Sequence, residues 1–137
     1  MSARTKVQPL QVTIVSDDPE TLDGLVSYFR GAGVVTHGTR QLETCLGMVP
    51  IGDTAIVLFP DDFPKEAVFA TLSVFRAVCP RALPVLVTRE PRLFQAIPSV
   101  AGTVAPFVVL RPAWGWAILD AVRSHFDFLR PTRQGYV

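Results

Sequence analysis

LQVTIVSDDPETLDGLVSYFR, residues 10–30, changes its hydrophobic period half-way along. Residues 10–16 are an apolar, β-branched run that stops at Asp17-Asp18-Pro19. A short continuous run of this kind suits a strand covered on both faces. From Pro19 onward the period becomes helical: Leu22, Leu25, Val26 and Phe29 fall at i, i+3, i+4 and i+7. Asp18 is the expected N-cap, because its carboxylate can accept from the unpaired amides of the first turn. Pro19 fits the first helical position, and Gly31 or Gly33 the end.

The same alternation continues along the chain. Residues 34–36 (VVT) are a short strand after Gly31-Ala32-Gly33. Residues 54–59 (TAIVLF) form a continuous run closing at Pro60, residues 84–88 (PVLVT) another, and residues 107–110 (FVVL) a last one closing at Arg111-Pro112. Between them lie helical patterns. Residues 41–48 are a weak helix with Leu42, Cys45 and Leu46 on one side. Residues 65–78 carry Val68, Leu72 and Phe75, with Val78 or Phe69 completing the stripe. Residues 91–100 are interrupted by Pro91 and Pro98. Residues 114–129 place Trp114, Ile118, Ala121, Val122 and Phe126 on one stripe. Strands alternating with helices over short connections predict an α/β fold, a doubly wound five-stranded parallel sheet of the flavodoxin-like kind. One domain is expected over residues 9–130, with tails at 1–8 and 131–137.

Composition narrows the function. The chain has 137 residues, 49% of them hydrophobic and 18% charged, which excludes a disordered chain. Thirteen Lys and Arg against twelve Asp and Glu leave +1, with no basic block, so nucleic acid is not the expected partner. No apolar run approaches the roughly 18 residues of a membrane helix, and residues 1–8 hold no apolar leader core. A cytoplasmic protein is expected. Cys45 and Cys79 fit neither a disulfide framework nor a zinc spacing and read as two buried thiols. His37, placed just past the second strand, and His125 are too few for a histidine-rich metal site. There is no G-x-G-x-x-G, no G-x-x-x-x-G-K-[ST] and no G-x-S-x-G, so catalysis has almost no support in the sequence.

In a doubly wound sheet, ligands bind at the carboxyl ends of the strands. The residues that matter are then Ser16-Asp17-Asp18, Pro60-Asp61-Asp62, Thr88-Arg89 and Arg111-Pro112. These strand ends resemble the receiver domain of two-component response regulators. IVSDDPE (residues 14–20) resembles its first strand and acidic pocket, PVLVT (84–88) its fourth strand with a hydroxyl residue, and VVLRP (108–112) its fifth strand with Lys-Pro. The resemblance implies a strand-end Asp as nucleophile toward a phosphoryl donor. It also implies two further acids on Mg²⁺, and a hydroxyl and a Lys that contact the phosphoryl group.

Against that pattern the sequence departs. Ser16 stands where the first acid belongs, Asp17 takes the second place, and Asp18 lies one residue beyond. The nucleophile position falls on Pro60 when counted back from Pro64, and on Leu58 by other spacings; Asp61 is the nearest carboxylate. Asp61 and Asp62 read as a solvated, helix-capping pair before Pro64. Thr88 is kept. Arg111 replaces Lys and is expected to pair with Asp17. The resemblance places an aromatic three residues before Arg111. Val108 stands there, with Phe107 one further back.

The expected reading is a stand-alone, degenerate receiver (a pseudo-receiver) without enzyme activity, working by protein–protein contact in a bacterial regulatory pathway. No cofactor is expected, Mg²⁺ included, with Asp17 the one weak candidate for a metal ligand. The partner face implied by the resemblance is the fourth helix, fifth strand and fifth helix, through Phe107, Trp114 and Trp116, with a homodimer as one form. Two residues apart on a helix, one tryptophan is expected in the core and the other at the surface. Two other readings stand beside it: a working response regulator phosphorylated on Asp61, and a flavodoxin-like small-ligand binder.

Overall fold

The computed structural model describes residues 10–48, 54–96 and 102–129. The expected tails, residues 1–8 and 131–137, lie outside them. Five strands are present: β1 (Gln11–Val15), β2 (Val35–Thr39), β3 (Thr54–Leu58), β4 (Leu83–Thr88) and β5 (Phe107–Leu110). They form one parallel sheet in the order β2-β1-β3-β4-β5. The helices are α1 (Pro19–Gly31), α2 (Lys65–Val78), α3 (Pro91–Gln95) and α4 (Gly115–Leu129). The expected weak helix over 41–48 is a 3₁₀ segment, Leu42–Met48, which still buries Leu42 and Cys45. His37 lies inside β2, not past it, because that strand runs on to Thr39.

The apolar runs are explained by two separate cores. On one face α1 and α4 cover the sheet, with Phe29, Ile118, Val122 and Phe126 against Val12, Ile14, Val57 and Val85. On the other face the 3₁₀ segment, α2 and α3 lay Leu42, Cys45, Val68, Leu72, Phe75 and Phe94 against Val15, Ile56, Leu58 and Leu86. Successive strand side chains alternate between these cores, so β3 and β4 are buried at every position. On α2 the predicted stripe of Val68, Leu72 and Phe75 is buried, whereas Phe69 and Val78 are exposed. Cys45 is buried and burial pushes its thiol up to about 11. Cys79 is only half-buried, a correction to the expectation of two buried thiols, because it caps the outer end of α2.

Topology positions the site. From β1 the chain steps to β2 on one side, then to β3 on the other, so the crevice between β1 and β3 is the switch point. Register pairs Val15 with Leu58, Leu58 with Leu86 and Thr88 with Leu110. Ser16, the Phe59–Asp62 turn, Thr88 and Arg111 therefore emerge along one edge of the sheet.

Candidate functional site

The site is built on two strand-end hydroxyls, Ser16 and Thr88, both fully buried. A buried hydroxyl without a partner costs roughly 1–3 kcal/mol, so each demands a hydrogen bond. Each finds one in the same way. Ser16 Oγ donates to Asp62 Oδ2 at 2.9 Å and accepts from the Asp18 amide at 3.2 Å. Thr88 Oγ1 donates to Asp61 Oδ1 at 2.6 Å and accepts from the Glu90 amide at 3.0 Å. Both form the local turn in which a hydroxyl takes the amide two residues on.

The carboxylates come from the turn after β3. Pro60 is buried and opens a 3₁₀ segment, Pro60–Asp62, with the Phe63 amide donating to the Pro60 carbonyl. That tight turn swings Asp61 toward β4 and Asp62 toward β1. Besides its hydroxyl, Asp61 Oδ2 accepts from the Arg89 amide at 2.9 Å, and Asp62 Oδ2 from the Asp17 amide at 3.0 Å. Their side chains are only 19% and 14% exposed. The pair is thus not the solvated helix cap expected from the sequence. Its carboxylates are turned inward because buried hydroxyls and strand-end amides need acceptors there.

Arg111 supplies the counter-charge. Its Nη1 lies 3.3 Å from Asp62 Oδ1 and 3.8 Å from Asp61 Oδ2, its side chain is 17% exposed, and its guanidinium sits 5.2 Å over the Phe59 ring. The Arg111 amide is fixed by the Thr88 carbonyl at 2.9 Å. The expected Arg111–Asp17 pair is not formed. Asp17 points outward and is 58% exposed; Arg40 reaches its carbonyl at 3.1 Å and its Oδ1 at 3.4 Å. The two inward carboxylates are nearer the end of β5 and take the arginine. Asp18 caps α1, accepting from the Thr21 amide at 3.2 Å and hydroxyl at 2.6 Å.

Of the predicted pocket residues, Ser16, Pro60, Asp61, Thr88 and Arg111 come together. Asp17 lies at the rim and Asp18 belongs to the helix cap. Asp62, expected at the strand end only as a helix-capping acid, joins the cluster through Ser16, the Asp17 amide and Arg111; Phe59 and Arg40 were not anticipated. The sequence signal is limited to an Asp-Asp pair at one strand end with Ser16, Thr88 and Arg111 at others; the inward turn of both acids rests on contacts between distant parts of the chain. Among the described residues, no group of three or more His, Cys, Asp or Glu is arranged to hold a metal ion.

On the predicted partner face, Phe107 is 46%, Trp114 72% and Trp116 61% exposed, and Leu110 is exposed as well. The expectation of one core tryptophan is corrected. α4 begins only at Gly115, so Trp114 precedes the helix, its carbonyl accepting from the Ala117 and Ile118 amides. Gly115, not either tryptophan, meets α1: a Cβ there would lie 3.2 Å from Tyr28 and 3.3 Å from Leu25. An apolar cleft of about 330 Å³ opens beside Phe107, lined also by Leu83, Val104 and His125 near the amino ends of β4 and β5.

The comparisons with solved structures agree with this architecture. The signal receiver domain of an HD domain-containing protein from Pseudomonas fluorescens Pf-5 superposes with a TM-score of 0.70 at 14% identity, over 98% of this chain and 99% of that one. The beryllofluoride-activated NtrC4 receiver domain dimer gives 0.67 at 14% identity, over 85% and 96%. The chain has the receiver fold. The response regulator StyR gives 0.67 at 20% identity over 93% of this chain, which spans 64% of StyR's length. No family model and no curated protein matches the sequence. Within the receiver fold, the carboxyl-end cluster of Asp61, Asp62 and Arg111 occupies the edge where the sequence resemblance places the phosphoryl chemistry.

Proposed function

We propose that this chain is a receiver-like signalling module of a bacterial, cytoplasmic regulatory pathway, which acts by docking a protein rather than by phosphoryl transfer. The observation that carries this reading is the self-satisfied cluster. A working acceptor needs a carboxylate oxygen free to attack and a cation to neutralise the phosphoryl oxygens. Here Asp61 and Asp62 each have both oxygens engaged, and their neutralising charge is the guanidinium of Arg111. The residues at the positions expected for the nucleophile, Pro60 by one spacing and Leu58 by others, have no carboxylate. The apolar exposure of Phe107, Leu110, Trp114 and Trp116 supports the docking half of the reading, since Trp is enriched among residues that dominate binding energy. A second copy of the chain is one form such a partner can take.

Phosphorylation of Asp61 is the competing reading, favoured by its 2.6 Å contact with Thr88. Intact mass after incubation with Mg²⁺ and acetyl phosphate separates the two. The expected outcome is unmodified protein. A single phosphoryl adduct that disappears in Asp61→Asn would establish the competing reading instead.

A further inference from the structure

The Asp61–Arg111–Asp62 cluster has a consequence for the tryptophans. Arg111 is joined to three other strand ends at once. Through Asp62 it reaches Ser16 and the Asp17 amide after β1; through Asp61 it reaches Thr88 and the Arg89 amide after β4; both acids sit on the turn after β3. Trp114 follows Arg111 by only three residues, and the connection 111–114 is the sole covalent path from the sheet edge into α4. β5, which leads into it, is a four-residue edge strand paired on one side, with both end residues exposed. Trp114 and Trp116 are too exposed to be fixed by their own packing. What fixes them are two anchors along the chain: Arg111 in its cluster, three residues before Trp114, and Gly115 between the two tryptophans, against Tyr28 and Leu25 of α1.

We infer that Arg111 is a positioning residue, whose ion pairs with Asp61 and Asp62 clamp the β5–α4 connection and so set the presentation of Trp114 and Trp116. Removing the guanidinium also leaves two adjacent inward carboxylates without a counter-charge. The consequence for docking rests on the reading above. The clamp itself is read without any partner, so either can fail while the other stands.

Hydrogen exchange followed residue by residue in the full chain is the test. In Arg111→Gln, the hydrogen-bonded amides of segment 111–118, those of residue 111, Ala117 and Ile118, should exchange about tenfold faster than in the wild type, while those of β1 and β3 stay within about twofold. Arg111→Lys keeps the charge without the planar fork and should fall between the two. Asp61→Asn with Asp62→Asn removes the clamp from its other side and should reproduce the Gln effect at 111–118, which also covers the case in which Arg111→Gln does not fold. Exchange at 111–118 unchanged in the folded variants, or accelerated evenly over the whole sheet, would overturn the clamp.

Discussion

Asp18 shows how a single side chain ties stability to pH. Its carboxylate accepts from the hydroxyl and the amide of Thr21, and these bonds hold its pKa below the ordinary 3.8; the Thr21 hydroxyl is the largest cause. The ionised form accepts these bonds more strongly than the protonated one. A carboxyl group depressed on folding adds stability that is fully present above the unfolded value and is lost as pH falls through the folded one. The difference in urea midpoint between the wild type and Asp18→Ala should therefore be full at neutral pH and narrow below 3.8. A difference that persists undiminished at the acid end would show that the cap does not act through its charge. Asp18 was legible from sequence because capping depends on its immediate neighbours. Asp61 and Asp62 were not. Their orientation depends on Ser16, Thr88 and Arg111, which are 46, 27 and 49 positions away along the chain in the bonds they form.

Elements meet through shapes that composition does not reveal, and two glycines make the point. Gly24 lies within α1 on its exposed side, and a Cβ there meets nothing within 4 Å. Gly24→Ala should raise stability by roughly 0.5–1 kcal/mol, the helix-interior difference between the two residues. Gly38 in β2 is the seat of α1: a Cβ would lie 2.8 Å from both Leu22 Cδ1 and Val26 Cγ2. Leu22 is buried and Val26 is branched at Cβ, so neither yields freely. Overpacking of this kind costs about 1–3 kcal/mol, more than the entropy gained in the unfolded chain. Gly38→Ala should lower the urea midpoint while Gly24→Ala raises it, and a shift of the same sign in both would contradict this packing. Strands and long helices were legible because their periods repeat within a few residues. Helix α4 was misplaced by one residue at its start, which moved Trp114 from a predicted core stripe to the surface.

At the scale of the whole molecule, the receiver fold separates what holds the chain together from what it presents. The α4 residues Ile118 and Val122 are buried among β-strand side chains, while Trp116 on the same helix and Trp114 just before it face outward. Exposed side chains without specific contacts contribute within about 0.5 kcal/mol to folding, whereas truncating a buried Ile to Ala costs roughly 2–5 kcal/mol. Trp114→Ala and Trp116→Ala should thus unfold at nearly the wild-type urea concentration, and Ile118→Ala well below it. If instead the tryptophan variants lose as much stability as Ile118→Ala, those rings belong to the core and the docking face is lost with them. A stable double variant would be the reagent for the next step. At a true hot spot each truncation removes about 2 kcal/mol or more of binding, close to thirtyfold in Kd. Sedimentation of the wild type and the double variant at equal concentration then tests the second-copy form of the partner. Self-association lost only in the double variant places the dimer on the tryptophan face, and equal self-association in both places it elsewhere.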